Sequence, residues 1–166
     1  MAKILIIYGS TMGNTESAAT QIAGLMTSHE VTLLNVSKMT SDTLNDYSNL
    51  ILGTSTWGCG DLQDDWECEL STLKSADLSG KTVALFGCGD SSSYPDSFVD
   101  GIGTLYEVVK AAGATVVGSV VDDYSYCSST AVVDGEFVGL PVDDDTADKN
   151  DDRIAAWCES ISSQFN

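Results

Sequence analysis

The apolar run Ile4-Leu5-Ile6-Ile7-Tyr8 passes directly into Gly9-Ser10-Thr11-Met12-Gly13-Asn14-Thr15. That junction limits the possible folds more than any other stretch. Five consecutive apolar residues read as a fully buried strand, and residues 14–28 place Ala18, Ile22, Leu25 and Met26 on one helical face. A strand that enters a helix through a glycine- and hydroxyl-rich turn leaves unpaired N–H groups at the positive end of the helix dipole. Such a turn holds an anion without a cationic side chain. The hydroxyls of Ser10, Thr11 and Thr15 and the Asn14 amide add further donors. The turn has no Lys or Arg, which separates it from the nucleoside-triphosphate loop, and it lacks the Gly-x-Gly-x-x-Gly spacing of dinucleotide sites. A single terminal phosphate suits it, although an ordinary strand-to-helix turn has the same composition.

The pattern recurs along the chain. Strands are expected at residues 3–8, 31–36, 48–53, 81–87 and 114–121, with helical faces at Phe98, Ile102, Leu105, Val109 and at Ile154, Trp157, Cys158, Ile161. Short apolar strands alternating with helices imply right-handed crossovers and a parallel sheet covered on both faces, within one domain over 1–166. Ligands of such sheets bind beyond the carboxyl ends of the strands, so the loops after residues 8, 53 and 87 matter most. The fifth strand is expected to be interrupted by an insertion of roughly twenty residues. It resumes at Phe137-Val138-Gly139-Leu140, and Asp134-Gly135 marks a hairpin inside the insertion.

Asp and Glu number 25 against seven Lys and Arg, a formal net charge of −18. That balance disfavours nucleic acid and anionic membranes and favours partners with a basic face. No run approaches the ~20 apolar residues of a membrane span, and no secretory signal is visible. Five cysteines without a Cys-x-x-Cys pair read as reduced thiols of a cytoplasmic protein, with no metal site. The lone His29 reads as structural.

Two further loops carry chemistry. Thr54-Ser55-Thr56-Trp57-Gly58-Cys59-Gly60 follows the third strand, and Gly87-Cys88-Gly89-Asp90-Ser91-Ser92-Ser93-Tyr94 follows the fourth. Each places one large aromatic in a glycine-rich turn. Trp57 and Tyr94 are expected to enclose a planar heterocycle, while the glycine peptides meet its polar edge.

These three loops, together with the interrupted fifth strand and Asp152-Arg153-Ile154, resemble the flavodoxin family in its long-chain branch over essentially the whole chain. The resemblance implies a three-layer α/β sandwich with a five-stranded parallel sheet of order 2-1-3-4-5. It implies FMN as cofactor, with the phosphate at Ser10 to Thr15 and the ring between Trp57 and Tyr94. Thr54, Ser55, Thr56, Gly58, Cys59, Gly60, Gly87, Cys88, Gly89 and Asp90 would line the remainder. Asp145 matches an acidic position near the ribityl chain, although Asp145-Thr146-Ala147 stands where Asp-Asn-Gln is common. The implied activity is not enzymatic. It is low-potential one-electron transfer, with FMN shuttling between semiquinone and hydroquinone. Implied partners are flavodoxin or ferredoxin reductases and low-potential oxidoreductases, met by a monomer.

The residues give this activity a physical basis. A peptide flip at Gly58 would offer a carbonyl to the flavin N5 proton, and glycine allows the positive φ that this needs. None of the three loops carries a cation, whereas Asp61, Asp64, Asp65, Glu67, Asp90 and Asp96 lie in or beside them. At an effective dielectric of ~20, one carboxylate about 12 Å from a flavin anion opposes it by about 1 kcal/mol. An FMN-dependent quinone reductase of flavodoxin-like fold is the alternative, but it needs one ring face open. A phosphoacceptor receiver domain would need an acidic cluster after the first strand and a Lys after the fifth, where Tyr8-Gly9 and Val120-Val121 stand.

Overall fold

A computed structural model describes residues 2–10, 13–57 and 60–165, with Trp57 described through its backbone alone. In chain order the elements are β1 (Lys3–Tyr8), α1 (Asn14–Leu25), β2 (Glu30–Asn35), α2 (Ser41–Asn45), β3 (Asn49–Trp57), β4 (Asp61–Leu62) and α3 (Asp64–Ser75). There follow β5 (Thr82–Gly89), α4 (Asp100–Ala111), β6 (Thr115–Val117), β7 (Val120–Val121), β8 (Val132–Val133), β9 (Glu136–Phe137), β10 (Leu140–Asp143) and α5 (Ala147–Ser162).

The central strands are apolar throughout because each feeds two cores. Leu5, Ile7, Leu50, Leu52, Val83 and Leu85 point to one side, where Trp66 and Leu73 of α3 and Ile102, Leu105 and Val109 of α4 meet them. Ile4, Ile6, Ile51, Ala84 and Phe86 point to the other, against Ala18, Ala19 and Ile22 of α1 and Ile154, Trp157 and Ile161 of α5. A period of two along each strand thus builds three layers. The parallel sheet runs β2-β1-β3-β5, in register through Ile6↔Leu33, Ile6↔Ile51 and Ile51↔Ala84.

Its fifth position is shared. β6 pairs with Thr82 to Ala84, and β10 continues the same line beside Phe86 to Gly89. This is the 2-1-3-4-5 order with an interrupted last strand. Between the two halves the chain forms a small antiparallel sheet of order β7-β9-β8. Asp134 (φ 54°) and Gly135 (φ 85°) turn β8 into β9, which is the two-residue hairpin expected there.

Four boundaries differ from the sequence reading. The expected strand 114–121 stops at Val117, because Gly118 takes φ +86° and its carbonyl accepts the Trp157 indole N–H at 2.9 Å. A Cβ there would meet Trp157 Nε1 at 2.7 Å. Val120 and Val121 therefore join the small sheet. The resumption begins at Leu140, since Phe137 belongs to β9. α1 ends at Leu25, whose side chain is 44% exposed rather than on the core face. β3 and β5 outrun β1, because Thr54↔Gly87, Ser55↔Cys88 and the β4 pair Thr56↔Leu62 extend the ladder. Residues read as loop thus begin as strand. Among the described residues no helix is long and apolar enough to cross a membrane.

Candidate functional site

The turn after β1 is clamped from beneath. The Gly9 N–H and the Trp66 indole N–H both donate to the Gly53 carbonyl, at 3.1 and 2.7 Å. A Cβ on Gly9 would stand 2.2 Å from Gln63 Oε1 and 2.7 Å from Trp66 Cδ1, so the backbone approaches α3 as only glycine allows. Gln63 in turn caps α3, its Oε1 accepting the Trp66 backbone N–H at 3.2 Å. Above the clamp, Ser10 Oγ accepts the Gly13 N–H at 3.0 Å and Gly13 takes φ 92°. α1 then starts at Asn14 with no side-chain cap. The first-turn N–H groups of such a helix remain free to meet an anion.

A cavity of about 60 Å³ opens against this turn, lined by Ser10, Asn14, Thr15, Ser55, Thr56, Cys88, Gly89, Asp90, Tyr94 and Asp144. Two hydroxyls that line it, Thr15 Oγ1 and Ser55 Oγ, are buried without a hydrogen-bond partner. The nearby Cys88 thiol is at best a weak one for Thr15. Unpaired buried polar atoms are uncommon in folded proteins, and here two belong to residues around the same space. Burial pushes Cys88 up to about 12, opposed by the Thr15 hydroxyl and reinforced by Asp144. Asp144 is itself raised, by burial first and then by the charges of Asp90 and Asp143. Among the described residues no Lys or Arg lines the cavity.

Tyr94 stands at the rim, 39% exposed. Its loop is built from both sides. Asp90 Oδ1 accepts the N–H groups of Ser92 and Ser93, each at 3.0 Å, and closes the turn. Beneath it, the buried Asp143 carboxylate at the end of β10 accepts the Ser91 N–H at 3.0 Å and the Ser91 hydroxyl at 2.6 Å. Asp143 also receives Asp145 N–H and the Thr146 hydroxyl, so one carboxylate ties the loop to the start of α5. From the other side, Cys127 and Ser128 donate N–H to Pro95 O at 2.8 and 2.9 Å. Phe98 packs among Tyr124, Tyr126 and Phe137 of the insertion. Arg153 lies 3.9 Å over the Tyr124 ring and pairs with Asp123 at 3.5 Å. The insertion is therefore a packed brace on residues 95–100.

Of the residues singled out from sequence, Ser10, Asn14, Thr15, Ser55, Thr56, Cys88, Gly89, Asp90 and Tyr94 converge on the cavity. Thr54 and Gly87 do not line it. Thr54 is fully buried, and a Cβ on Gly87 would meet Ile102 at 2.6 Å, so close packing accounts for that glycine. Gly60 (φ +102°) backs onto Asp100, whose carboxylate also accepts the Thr130 N–H at 2.8 Å. Asp144 and Asp145 are both exposed, and of the two only Asp144 lines the cavity. Its side chain accepts from the Asn14 amide at 3.4 Å. Thr11, Met12, Gly58, Cys59 and the Trp57 side chain lie outside the described residues. Sequence reasoning missed Gln63, Trp66, Ser91, Asp143 and Asp144 as parts of the site. Only the run Asp143-Asp144-Asp145 signalled the last two.

His29 lies at the opposite end of the sheet. Its Nδ1 accepts the Ala2 N–H at 3.0 Å, and Nε2 faces the Ser162 carbonyl at the same distance, a structural role.

A doubly wound sheet with an uncapped helix N-terminus and a hydroxyl-lined cavity beyond its carboxyl edge defines an α/β protein of the open-sheet class. A flavodoxin family profile matches residues 6–157. The chain is 43% identical over 165 residues to a flavodoxin of Nostoc sp., covering 98% of this chain and 97% of that one. It is 42% identical over 171 residues to flavodoxin 1 of Azotobacter vinelandii, covering 99% and 98%. Among solved structures, Fusobacterium nucleatum flavodoxin bound to flavin mononucleotide matches with a TM-score of 0.93, 29% identity and full coverage of both chains. This chain belongs to the flavodoxin family.

Proposed function

We propose that the chain is an electron carrier, not an enzyme, holding one FMN non-covalently at this cavity within a single domain spanning residues 1–166. The observation that carries the reading is a pair of buried hydroxyls, Thr15 Oγ1 and Ser55 Oγ, that lack a strong hydrogen-bond partner among the described residues and belong to residues lining one cavity at an uncapped helix N-terminus. The donor set fits a phosphoryl polyol: backbone N–H groups and hydroxyls, with no cation. Bound FMN would supply one-electron redox chemistry, and the protein supplies its placement. Ser10, Thr11, Met12, Gly13, Asn14 and Thr15 would hold the phosphate. Ser55, Thr56, Cys88, Gly89 and Asp90 would line the chain that follows. The ring would lie at the rim marked by Tyr94, between Trp57 and Tyr94 and against Gly58, Cys59 and Gly60.

The chain offers no cation at this site, and Asp90 and Asp144 stand beside it. Adding negative charge there is unfavourable, which favours a low potential for full reduction. Asp61, Asp64, Glu67 and Asp96 are exposed near the same end and suit a basic-faced redox partner. Asp100 contributes less, since its carboxylate is engaged by Thr130. The free thiols Cys68, Cys88, Cys127 and Cys158 suit a reducing compartment, the cytoplasm.

Absorption spectroscopy of the purified protein and identification of its released flavin test the reading. FMN in about one equivalent is expected. Mainly FAD, or a colourless protein that takes up no FMN, would sink it. Docking is tested by stopped-flow reduction with a basic reductase across a salt series. Charge reversal of Asp64, Asp65 and Glu67 should slow reduction more than reversal of Asp42 and Asp46 on α2, and the gap should close as salt rises.

A further inference from the structure

The phosphate turn has a second claimant for its donors. Asn14 is the first residue of α1, and its side-chain amide donates to Asp144 Oδ2 at 3.4 Å. Asp144 lines the same cavity as Ser10, Asn14 and Thr15, yet it is an exposed residue of the turn that follows β10, 130 residues away in sequence. A carboxylate thus rests on the anion-binding helix terminus, where a helix dipole favours negative charge. Thr15 Oγ1, buried in the same turn, has only the Cys88 thiol as a weak partner among the described residues.

We infer that Asp144 is an intramolecular competitor of the incoming phosphate, so that cofactor uptake is weakened by the Asp144 charge and accompanied by protonation or displacement of that carboxylate. The inference rests on the assignment of FMN phosphate to this turn. A phosphate dianion on the α1 N-terminus and an ionised Asp144 would share the Asn14 amide and repel each other at short range. No cation relieves them. The Arg153 guanidinium of α5 is engaged by Asp123 and Thr146, and Lys149 of α5 makes no ion pair among the described residues.

The other groups facing Asp144 act in the same direction. Asp90, from the loop after β5, and Asp143, from β10, both add negative charge. The Cys88 thiol of β5 remains neutral. On α1, Glu16 bears on Tyr8, while at the α1–α5 contact Asp151 is bound to Gln21. The charge of Asp144 is already disfavoured before any ligand arrives. Adding an anion disfavours it further, so binding should take up protons in the range where Asp144 titrates.

The substitution Asp144→Asn keeps an acceptor for the Asn14 amide and removes only the charge. Asp42→Asn on α2 removes the same charge far from the cavity. Titrating the apoprotein with FMN by flavin-fluorescence quenching at low salt, from pH 5 to 8, compares them. Asp144→Asn should bind FMN roughly three- to tenfold more tightly at pH 7.5, and the ratio to the parent should shrink toward unity as pH falls or salt rises. The phosphate's own second ionisation near pH ~6 lowers the charge that Asp144 opposes and shrinks the same ratio, so the riboflavin and Asp42→Asn arms carry the assignment to Asp144. Asp42→Asn should track the parent. Riboflavin, which lacks the phosphate, should bind parent and Asp144→Asn equally.

Unchanged or weaker FMN binding by Asp144→Asn, or an equal gain with riboflavin, would overturn the role given to Asp144 and leave the cavity assignment standing. Failure of the parent to take up FMN would overturn both, the cavity assignment first.

Discussion

At the amino end of the sheet the polar groups close on one another. His29 takes the Ala2 N–H on one nitrogen and faces Ser162 with the other, and Asn49 reaches the Lys3 carbonyl at 3.2 Å. Lys81 Nζ donates to Tyr47 O at 2.6 Å. At the carboxyl end, Thr15 and Ser55 bury hydroxyls with no partner, Asp144 crowds Asp90 and Asp143, and α1 starts without a cap. The strands joining the two ends are equally well packed, so the contrast is not one of core quality. It is one of completeness. An unpaired buried polar group costs about 1–3 kcal/mol, and the chain tolerates two where a ligand can satisfy them. One end holds the fold together, and the other keeps donors that suit the proposed cofactor.

Changes at the two ends should therefore move different quantities. The largest effect is expected from Tyr94→Ala. Loss of stacking and apolar burial should weaken FMN binding by about 2–4 kcal/mol in a fluorescence titration. Stability of the apoprotein should stay within about 0.5 kcal/mol, because the side chain is on the rim. A large loss of apoprotein stability would erase the distinction between the ends.

His29→Ala should do the reverse. Stripping partners from Ala2 and Ser162 should lower stability in urea by about 1–3 kcal/mol, with FMN affinity of the folded protein unchanged.

Thr15→Val sharpens the contrast within one residue. Removing an unpaired buried hydroxyl at nearly constant volume should raise apoprotein stability by up to about 1 kcal/mol while weakening FMN binding. If both quantities fall, the hydroxyl is paired in solution and the cavity is not built around a missing partner.

The smallest effect concerns pH. Asp144 is raised in the folded state, so the native protein binds more protons than the unfolded chain between the two ionisation ranges. Its contribution is therefore unfavourable above that window and is relieved as pH falls through it. Asp144→Asn should make the apoprotein slightly more stable than the parent at pH 7, and the difference should vanish in acid. Urea denaturation at both pH values checks this.

Local pattern carried much of the architecture. The period-two apolar runs of β1, β3 and β5 and the helical faces at Ile102, Leu105, Val109 and at Ile154, Trp157, Ile161 are local signals, and burial followed them. The Asp134-Gly135 turn was equally legible, since two positive φ values strongly favour that pair. Leu25 misled because α1 stops one turn early. The fifth strand misled because Gly118 diverts the chain through a bond to Trp157, 39 residues away. Asp145 was read near the site, whereas Asp144 lines the cavity; both are exposed on the turn after β10, and a run of three acids gives no local sign of which one approaches the first loop.

The sequence by itself determined the layers, the strand order's raw material and three loops rich in donors and aromatics, because helix and strand periodicity and turn chemistry act over a few residues. Tertiary structure alone decided how those loops become one cavity. The Gln63 and Trp66 clamp on Gly9, the hold of Asp143 on Ser91 across 52 residues, and the bond between Asn14 and Asp144 all join distant segments. Such contacts depend on which side chains the packed sheet brings within about 3 Å of each other, and no local spacing encodes that.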